Sequence, residues 1–280
     1  MEAEPSPAAL TWVAAATGAP VRHARRLAGG THAATHLLRF DGSIDDLVLR
    51  RFRPGDPAVV RESTVLAALD GLGGWAPRLV AADPAGAVFG EPAVLTTRIP
   101  GDTDIATPHP EPLGRALARL HGVPVGGLAG FRDGMAVTAA GGASRAMPAA
   151  RARLAEQERV LTHFDYWTGN VLWAGDVLTG IIDWSGASLA PRGFDISWCR
   201  LDLVLLHGPA YAEVFLDAYQ EAAGVTVPEL RQWDLFALAN ADRDVETWID
   251  NYHDLGRTDL SAADLRSRHT AWTERRRGDD

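Results

Sequence analysis

Four polar residues stand in a fixed order within one short stretch of the chain. His163, Asp165 and Asn170 lie in "LTHFDYWTGNVLW", and Asp183 follows the apolar pair Ile181-Ile182 in "GIIDWSGASLAPRGFDISW". Asp and Asn are depleted from strands and common in turns, yet turn chemistry does not readily account for the whole ordered set. The set matches what phosphoryl transfer from a nucleotide requires. One carboxylate orients or deprotonates an acceptor hydroxyl, while an amide oxygen and a second carboxylate hold Mg2+ on the phosphates. Asp165 suits the first role, and Asn170 with Asp183 suits the second.

The elements that must position these residues can be read coarsely. Strand-like "NVLW" (170–173) and "VLTGIID" (177–183) would fold back as a hairpin, bringing both metal-binding oxygens to one ion. Upstream, "THLLRF" (35–40), Asp41-Gly42 and "DLVLRRF" (46–52) read as two strands joined by a hairpin loop. A helix follows from Pro57, then strands in "PRLVAAD" and "PAVLTTRIPGD". Beyond Pro100-Gly101 the pattern turns mostly helical: 111–122, 143–161 with an interruption at Pro148, 208–224, 227–256 and 261–277. The expected fold class is α+β with two lobes: 1–98, a small sheet-containing lobe, and 99–280, a larger mainly helical one, with a hinge near Arg98–Asp102.

"HFDYWTGNVLW" resembles the catalytic loop of the aminoglycoside phosphotransferase family, and "IIDW" resembles that family's metal-binding Asp segment. The family has a protein-kinase-like fold, with a small N-terminal antiparallel-sheet lobe and a helical C-terminal lobe, and includes choline kinase and fructosamine kinase. The resemblance implies ATP or GTP and Mg2+ as cofactors, with a small-molecule hydroxyl as phosphate acceptor. It further implies that His163 orients the loop and that Asp195 in "GFDISW" braces its backbone. Gly29, Gly30 and Thr31, between two strands, would let backbone N–H groups approach the phosphates. Arg50 in "LVLRR" takes the place of the family's usual phosphate-contacting lysine, with Glu62 on the next helix as its ion-pair partner.

The chain contains 27 basic residues, every one of them arginine, so any role usually given to lysine falls to arginine. Arginine at position 50 therefore reflects a chain-wide bias, although its planar fork is no simple replacement for an ammonium. A net charge of −9 argues against a nucleic-acid-coating protein. The opening segment lacks the basic region of a secretory leader, no apolar run reaches membrane-spanning length, and the single cysteine, Cys199, excludes an internal disulfide. A cytoplasmic protein with no membrane or nucleic-acid partner is expected.

For the acceptor, Asp242, Glu246 and Asp250 recur every four residues in "NADRDVETWIDNYHDLG" and would share one face of a helix. With Trp248 nearby they could line a site for a cationic compound, the aromatic ring covering an amine. The competing readings are a solvated acidic face here, and, for the whole chain, a nucleotide-binding pseudokinase or a metal-dependent phosphohydrolase.

If Asp165 faces the acceptor hydroxyl, Asp165→Ala should leave nucleotide affinity nearly intact and lower turnover by at least ~100-fold, the usual scale for an acid–base group. Equilibrium binding of nucleotide and steady-state kinetics, run side by side, check this. Equal loss of both would instead mark a folding defect.

Overall fold

Ser6 accepts a hydrogen bond from the Ala9 amide, and Pro7 supplies a preset φ at the first turn, so helix α1 (Pro7–Thr17) begins there; Gly18, at φ 76°, ends it. The structure is a computed structural model, and it describes residues 4–27, 33–42, 44–128, 130–138, 141, 143 and 147–278. Its contacts divide the chain into two compact units: Met1–Gly101 with Thr179–Gly186, and Asp102–Leu178 with Ala187–Asp280.

The first unit is built on a five-stranded antiparallel sheet in the order β1-β2-β3-β5-β4. The strands are β1 (Val21–Arg26), β2 (Ala33–Phe40), β3 (Leu47–Phe52), β4 (Leu79–Asp83) and β5 (Ala93–Thr97). Leu38, Leu47, Leu49, Ala93 and Leu95 pack with Val13 of α1 to form one core. Side chains alternate between faces along a strand, so Arg50 and Arg51 of β3 leave on opposite sides. Arg51 pairs with Glu91 at 2.6 Å, and Arg50 turns to helix α2 (Ala58–Leu69), where Glu62 is buried. The segment Thr179–Gly186 joins this unit: Ile181 N–H donates to the Trp75 carbonyl, and Arg61 of α2 donates to the Ser185 carbonyl.

The second unit is mainly helical. Its helices are α3 (Pro110–His121), α4 (Gly134–Val137), α5 (Pro148–Ala155), α6 (Gly193–His207), α7 (Pro209–Ala223), α8 (Leu230–Ala241), α9 (Ile249–Asp254) and α10 (Ala262–Gly278). Helix α6 is buried along almost its whole length, with α7, α8 and α10 packed around it. Cys199 is one of its buried core residues. Arg200 is fully buried on α6, where its fork meets both carboxylate oxygens of Asp234 at 3.1 Å and its face lies over Trp272 of α10. Among the described residues no helix is long and apolar enough to cross a membrane.

Two expectations need correction. The helix expected over 143–161 ends at Ala155, and Arg159–Thr162 is strand β6, paired antiparallel with β9 (Ser188–Pro191). The apolar run Val160-Leu161 fills a buried strand, which periodicity cannot tell from a buried helical turn. The helix expected over 227–256 is also interrupted: α8 stops at Ala241, a 3-10 turn covers Val245–Trp248, and α9 restarts at Ile249. Asp244, at φ −123° and ψ 0°, is the break. Strand β7 (Val171–Ala174) then turns back through Gly175, at φ 60°, into β8 (Val177–Ile181).

Gly114 of α3 marks a close helix-to-helix approach in the second unit. A Cβ there would stand 2.4 Å from the Phe215 carbonyl oxygen and 2.8 Å from the Tyr219 amide nitrogen, both backbone atoms of α7. Gly114→Ala should therefore cost about 1–3 kcal/mol by forcing the two helices apart. Denaturant unfolding should show an earlier midpoint with an unchanged slope, since the exposed surface does not change.

Candidate active site

In the first unit, one guanidinium holds two carboxylates. Arg50 Nη1 lies 2.5 Å from Glu62 Oε1, and Arg50 Nη2 lies 3.1 Å from Asp183 Oδ1. Arg50 and Glu62 are buried, whereas the Asp183 side chain is about a quarter exposed. Burial pushes Glu62 up to about 7, with the charge of Arg50 pulling it back. Burial opposes the charge on Arg50, but the two carboxylates outweigh it and hold the guanidinium firmly protonated. Asp183 sits at φ 61°, a left-handed conformation uncommon outside glycine, and Ser185 Oγ donates to its Oδ1 at 3.0 Å. Gly29, Gly30 and Thr31 lie outside the described residues.

In the second unit, the segment after β6 carries His163, Asp165 and Asn170. Phe164, between the first two, has φ 71°, a strained value for an aromatic residue. The strain is held by Asp195, the third residue of α6. Its Oδ2 accepts the His163 backbone N–H at 2.7 Å and its Oδ1 accepts the Phe164 N–H at 2.8 Å. His163 is fully buried, its ring edge-on to Tyr166, whose hydroxyl donates to the Leu113 carbonyl at 3.0 Å. Phe164 stacks on Phe194 of α6 at 4.0 Å, with Arg132 over its ring.

Asn170 donates from Nδ2 to both the carbonyl and the carboxylate Oδ2 of Asp165, at 2.8 and 2.9 Å. The amide is thereby turned so that Oδ1 is the atom it can offer to a cation. An amide oxygen and a partly exposed carboxylate such as Asp183 are hard donors suited to Mg2+. Among the described residues no group of three or more His, Cys, Asp or Glu is arranged to hold a metal. The amide and the carboxylate each offer an oxygen donor of the kind such an ion takes, alongside oxygens from phosphates and water. Asn170 belongs to the second unit and Asp183 to the first.

Asp195 has a further partner that sequence reading missed. His121, at the end of α3, places Nε2 3.3 Å from Asp195 Oδ2, and its Nδ1 meets the Tyr219 hydroxyl at 2.8 Å. Burial lowers the pKa of His121, so the ring is neutral, with its tautomer set by these two contacts. A histidine closing a helix just before Gly122 offered only a weak signal.

The expected acidic face over Asp242, Glu246 and Asp250 does not form on one helix, because α8 ends before Asp242 and a 3-10 turn carries Glu246. Arg266 of α10 engages two of the three, pairing with Asp242 at 2.8 Å and with Glu246 at 2.6 Å. It holds the Glu246 carboxyl down to about 2. Asp250 stays exposed, and half-buried Trp248 packs against Trp198 of α6 at 5.4 Å.

Comparison with known proteins follows the same lines. The model of the phosphotransferase enzyme family (APH) matches residues 23–236. Among solved structures, a proposed aminoglycoside phosphotransferase from Ralstonia eutropha JMP134 superposes with a TM-score of 0.68 at 15% identity, covering 96% of each chain. Macrolide 2'-phosphotransferase MphH from Brachybacterium faecium gives 0.58 at 22% identity, covering 94% of this chain and 97% of its own. A thermostable mutant of aminoglycoside phosphotransferase APH(4)-Ia, in ternary complex with AMP-PNP and hygromycin B, gives 0.63 at 15% identity, over 98% and 100%. At these identities the likeness is one of fold. No curated protein sequence matches the chain.

Asp195→Ala should leave the buried His163 and Phe164 amides without their acceptor, at about 1–3 kcal/mol each. Asp195→Asn, with one acceptor oxygen in place, should lose roughly half as much. Chemical denaturation of the two variants checks the order, and equal losses would show that a single acceptor oxygen holds neither amide.

Proposed function

The chain belongs to the phosphotransferase enzyme family, and from that premise we propose that it transfers the γ-phosphoryl group of ATP or GTP to a hydroxyl of a small molecule. The observation that carries this reading is the pairing of Asn170 with Asp165 on a segment braced by Asp195. The pairing fixes an acid–base group and a cation-binding oxygen to each other.

In this mechanism Asp165 accepts a hydrogen bond from the acceptor hydroxyl. The hydroxyl oxygen forms the new P–O bond as the bond to the β,γ-bridging oxygen breaks. The hydroxyl proton passes to Asp165 and then to solvent, and the nucleoside diphosphate carries away the bond electrons. Much of the value of Asp165 is positioning, since the transition state is loose. Asn170 Oδ1 and Asp183 would hold Mg2+, which supplies charge neutralisation on the phosphates. Arg50, oriented by Glu62, would contact the phosphates with its planar fork.

For the acceptor, Trp248 and Trp198 offer an aromatic surface beside exposed Asp250, and together they support a hydroxylated compound bearing an amine. Asp242 and Glu246 contribute less to a cationic site, because Arg266 engages both.

A second reading, nucleotide binding without transfer, is favoured by the contact of Arg50 with Asp183, the carboxylate a cation needs. One experiment separates the two. ATP and GTP consumption is measured with Mg2+ over aminoglycosides, amino sugars, choline, homoserine, macrolides and neutral sugars, alongside nucleotide binding with and without the metal. Turnover with at least one acceptor, abolished by Asp183→Asn, is the expected result. Metal-dependent binding without turnover on any acceptor supports the second reading. Arg50→Ala should weaken nucleotide binding by ~10-fold or more, the scale of one charge-assisted contact, and Arg50→Lys should keep partial activity. An Arg50→Ala protein with unchanged binding would remove Arg50 from the phosphate site.

A further inference from the structure

Asp195 is the inner end of a longer chain of hydrogen bonds. His121, closing α3, places Nε2 3.3 Å from Asp195 Oδ2. Its Nδ1 lies 2.8 Å from the hydroxyl of Tyr219 on α7, and the two rings meet edge-on at 5.5 Å. Arg192, just ahead of α6, donates from Nη1 to that hydroxyl at 3.2 Å and from Nη2 to Glu158 at 2.7 Å. Asp195 and Tyr219 are fully buried, the His121 side chain is nearly so, and the chain of bonds reaches solvent at exposed Glu158. Glu158 and Arg192 stand just beyond the Arg159–Pro191 rung that ends the β6–β9 pair, and β6 runs directly into His163. The outer ion pair and the inner carboxylate thus bracket the same strand.

The two ends set the direction of every bond between them. A guanidinium only donates, and a carboxylate only accepts. Because Asp195 accepts, the neutral His121 ring carries its proton on Nε2 and leaves Nδ1 as a lone pair. The Tyr219 O–H therefore donates to Nδ1, and the Tyr219 oxygen accepts from Arg192. Burial pushes the Tyr219 phenol up to about 12, so the hydroxyl keeps the proton it donates. The bonds run in one sense from Arg192 inward to Asp195, which the His163 and Phe164 amides reach from the other side.

We propose that Tyr219, oriented by Arg192, is a positioning residue for phosphoryl transfer: through His121 it fixes the Asp195 carboxylate, and with it the angle at which the chain presents Asp165. This rests on the phosphotransferase reading. Asp195 Oδ2 accepts from both the His163 amide and His121 Nε2, while Oδ1 accepts from the Phe164 amide. The third donor ties the plane of the carboxylate to α3, a helix other than the one that carries it. Removing the Tyr219 hydroxyl leaves the His121 lone pair buried without a donor and frees the ring to turn. The two amides then hold a carboxylate whose orientation is no longer set, and the left-handed turn at Phe164, directly before Asp165, loosens.

The test has two arms. The first measures turnover per folded molecule, with the best acceptor of the panel, beside nucleotide Kd. Tyr219→Phe keeps the ring and removes the hydroxyl; it should lower kcat ~10-fold with Kd within ~2-fold, as when a reacting group is tilted and not lost. His121→Leu should do the same. His121→Gln should stay within ~3-fold of the wild type, because its amide donates to Asp195 from nitrogen and accepts from Tyr219 on oxygen. Tyr219→Phe combined with His121→Leu should lose no more than His121→Leu alone, since both cut one chain of bonds. A packing role would leave kcat per folded molecule unchanged in Tyr219→Phe, or make the two losses multiply, and either result overturns the proposal. A His121→Gln enzyme no better than His121→Leu also overturns it. The second arm follows the imidazole N–H proton of His121 by NMR, assigned by its absence in His121→Gln. It should exchange slowly with solvent in the wild type and at least ~10-fold faster in Tyr219→Phe. An unchanged rate overturns the proposal even where His121→Leu fails to fold. Absence of turnover with every acceptor overturns the phosphotransferase reading and the positioning role with it. The N–H proton would still report the chain of bonds, so the two failures are distinguishable.

Discussion

A carboxylate with no accessible surface, Asp195, holds the segment that carries His163 and Asp165 in place. A buried charge is tolerated only when its lone pairs are satisfied, and here the donors are two successive backbone amides, His163 and Phe164, together with the neutral ring of His121. The position of Asp195 in the first turn of α6 adds the positive end of that helix. These interactions offset the left-handed conformation of Phe164, which costs on the order of 1–3 kcal/mol. Without that conformation Asp165 would not follow His163 at its present angle. The stacking of Phe164 on Phe194, the residue before Asp195, secures the same turn from the side-chain direction.

The absence of lysine shapes the charge chemistry throughout. A guanidinium has a fixed planar fork of donors, so one residue can engage two acids at once. Arg50 does this with Glu62 and Asp183, Arg200 with Asp234 and Glu213, and Arg266 with Asp242 and Glu246. An ammonium in the place of Arg50 would be a point charge, free to leave Asp183 while keeping Glu62. The arginine couples the helix that carries Glu62 to the segment that carries Asp183 more rigidly than a lysine would.

What could be read from the sequence, and what could not, follows from how local each signal is. The order His163, Asp165, Asn170, Asp183 and Asp195 spans 33 residues and is chemically unusual, so it could be recognised without a structure. The two-strand reading of 35–52 was legible for the same reason, because a hairpin is a local object. Val160-Leu161 was misread because a buried strand and a buried helical turn have the same apolar content. The supposed helix over 227–256 kept its periodicity through a break that Asp244 makes with no glycine or proline to announce it. His121 contacts Asp195 across 74 residues and Tyr252 contacts Asp202 across 50, distances at which no sequence pattern carries information.

Asp202 shows how a buried acid can look like a core residue in the sequence. In "CRLDLVLL" it is one acid in an apolar run, and a neutral buried carboxylic acid packs there much as an amide would. Its folded-state pKa, about 8, lies above the ordinary value, so the folded chain holds a proton that the unfolded chain has already lost. Its contribution to stability is present at acid pH and declines as the pH rises through that window. A leucine or an asparagine in its place would lift that dependence. An acid at this position therefore weakens the fold toward alkaline pH. The cost falls on the helix that also carries Asp195, whose carboxylate braces the His163 and Phe164 amides.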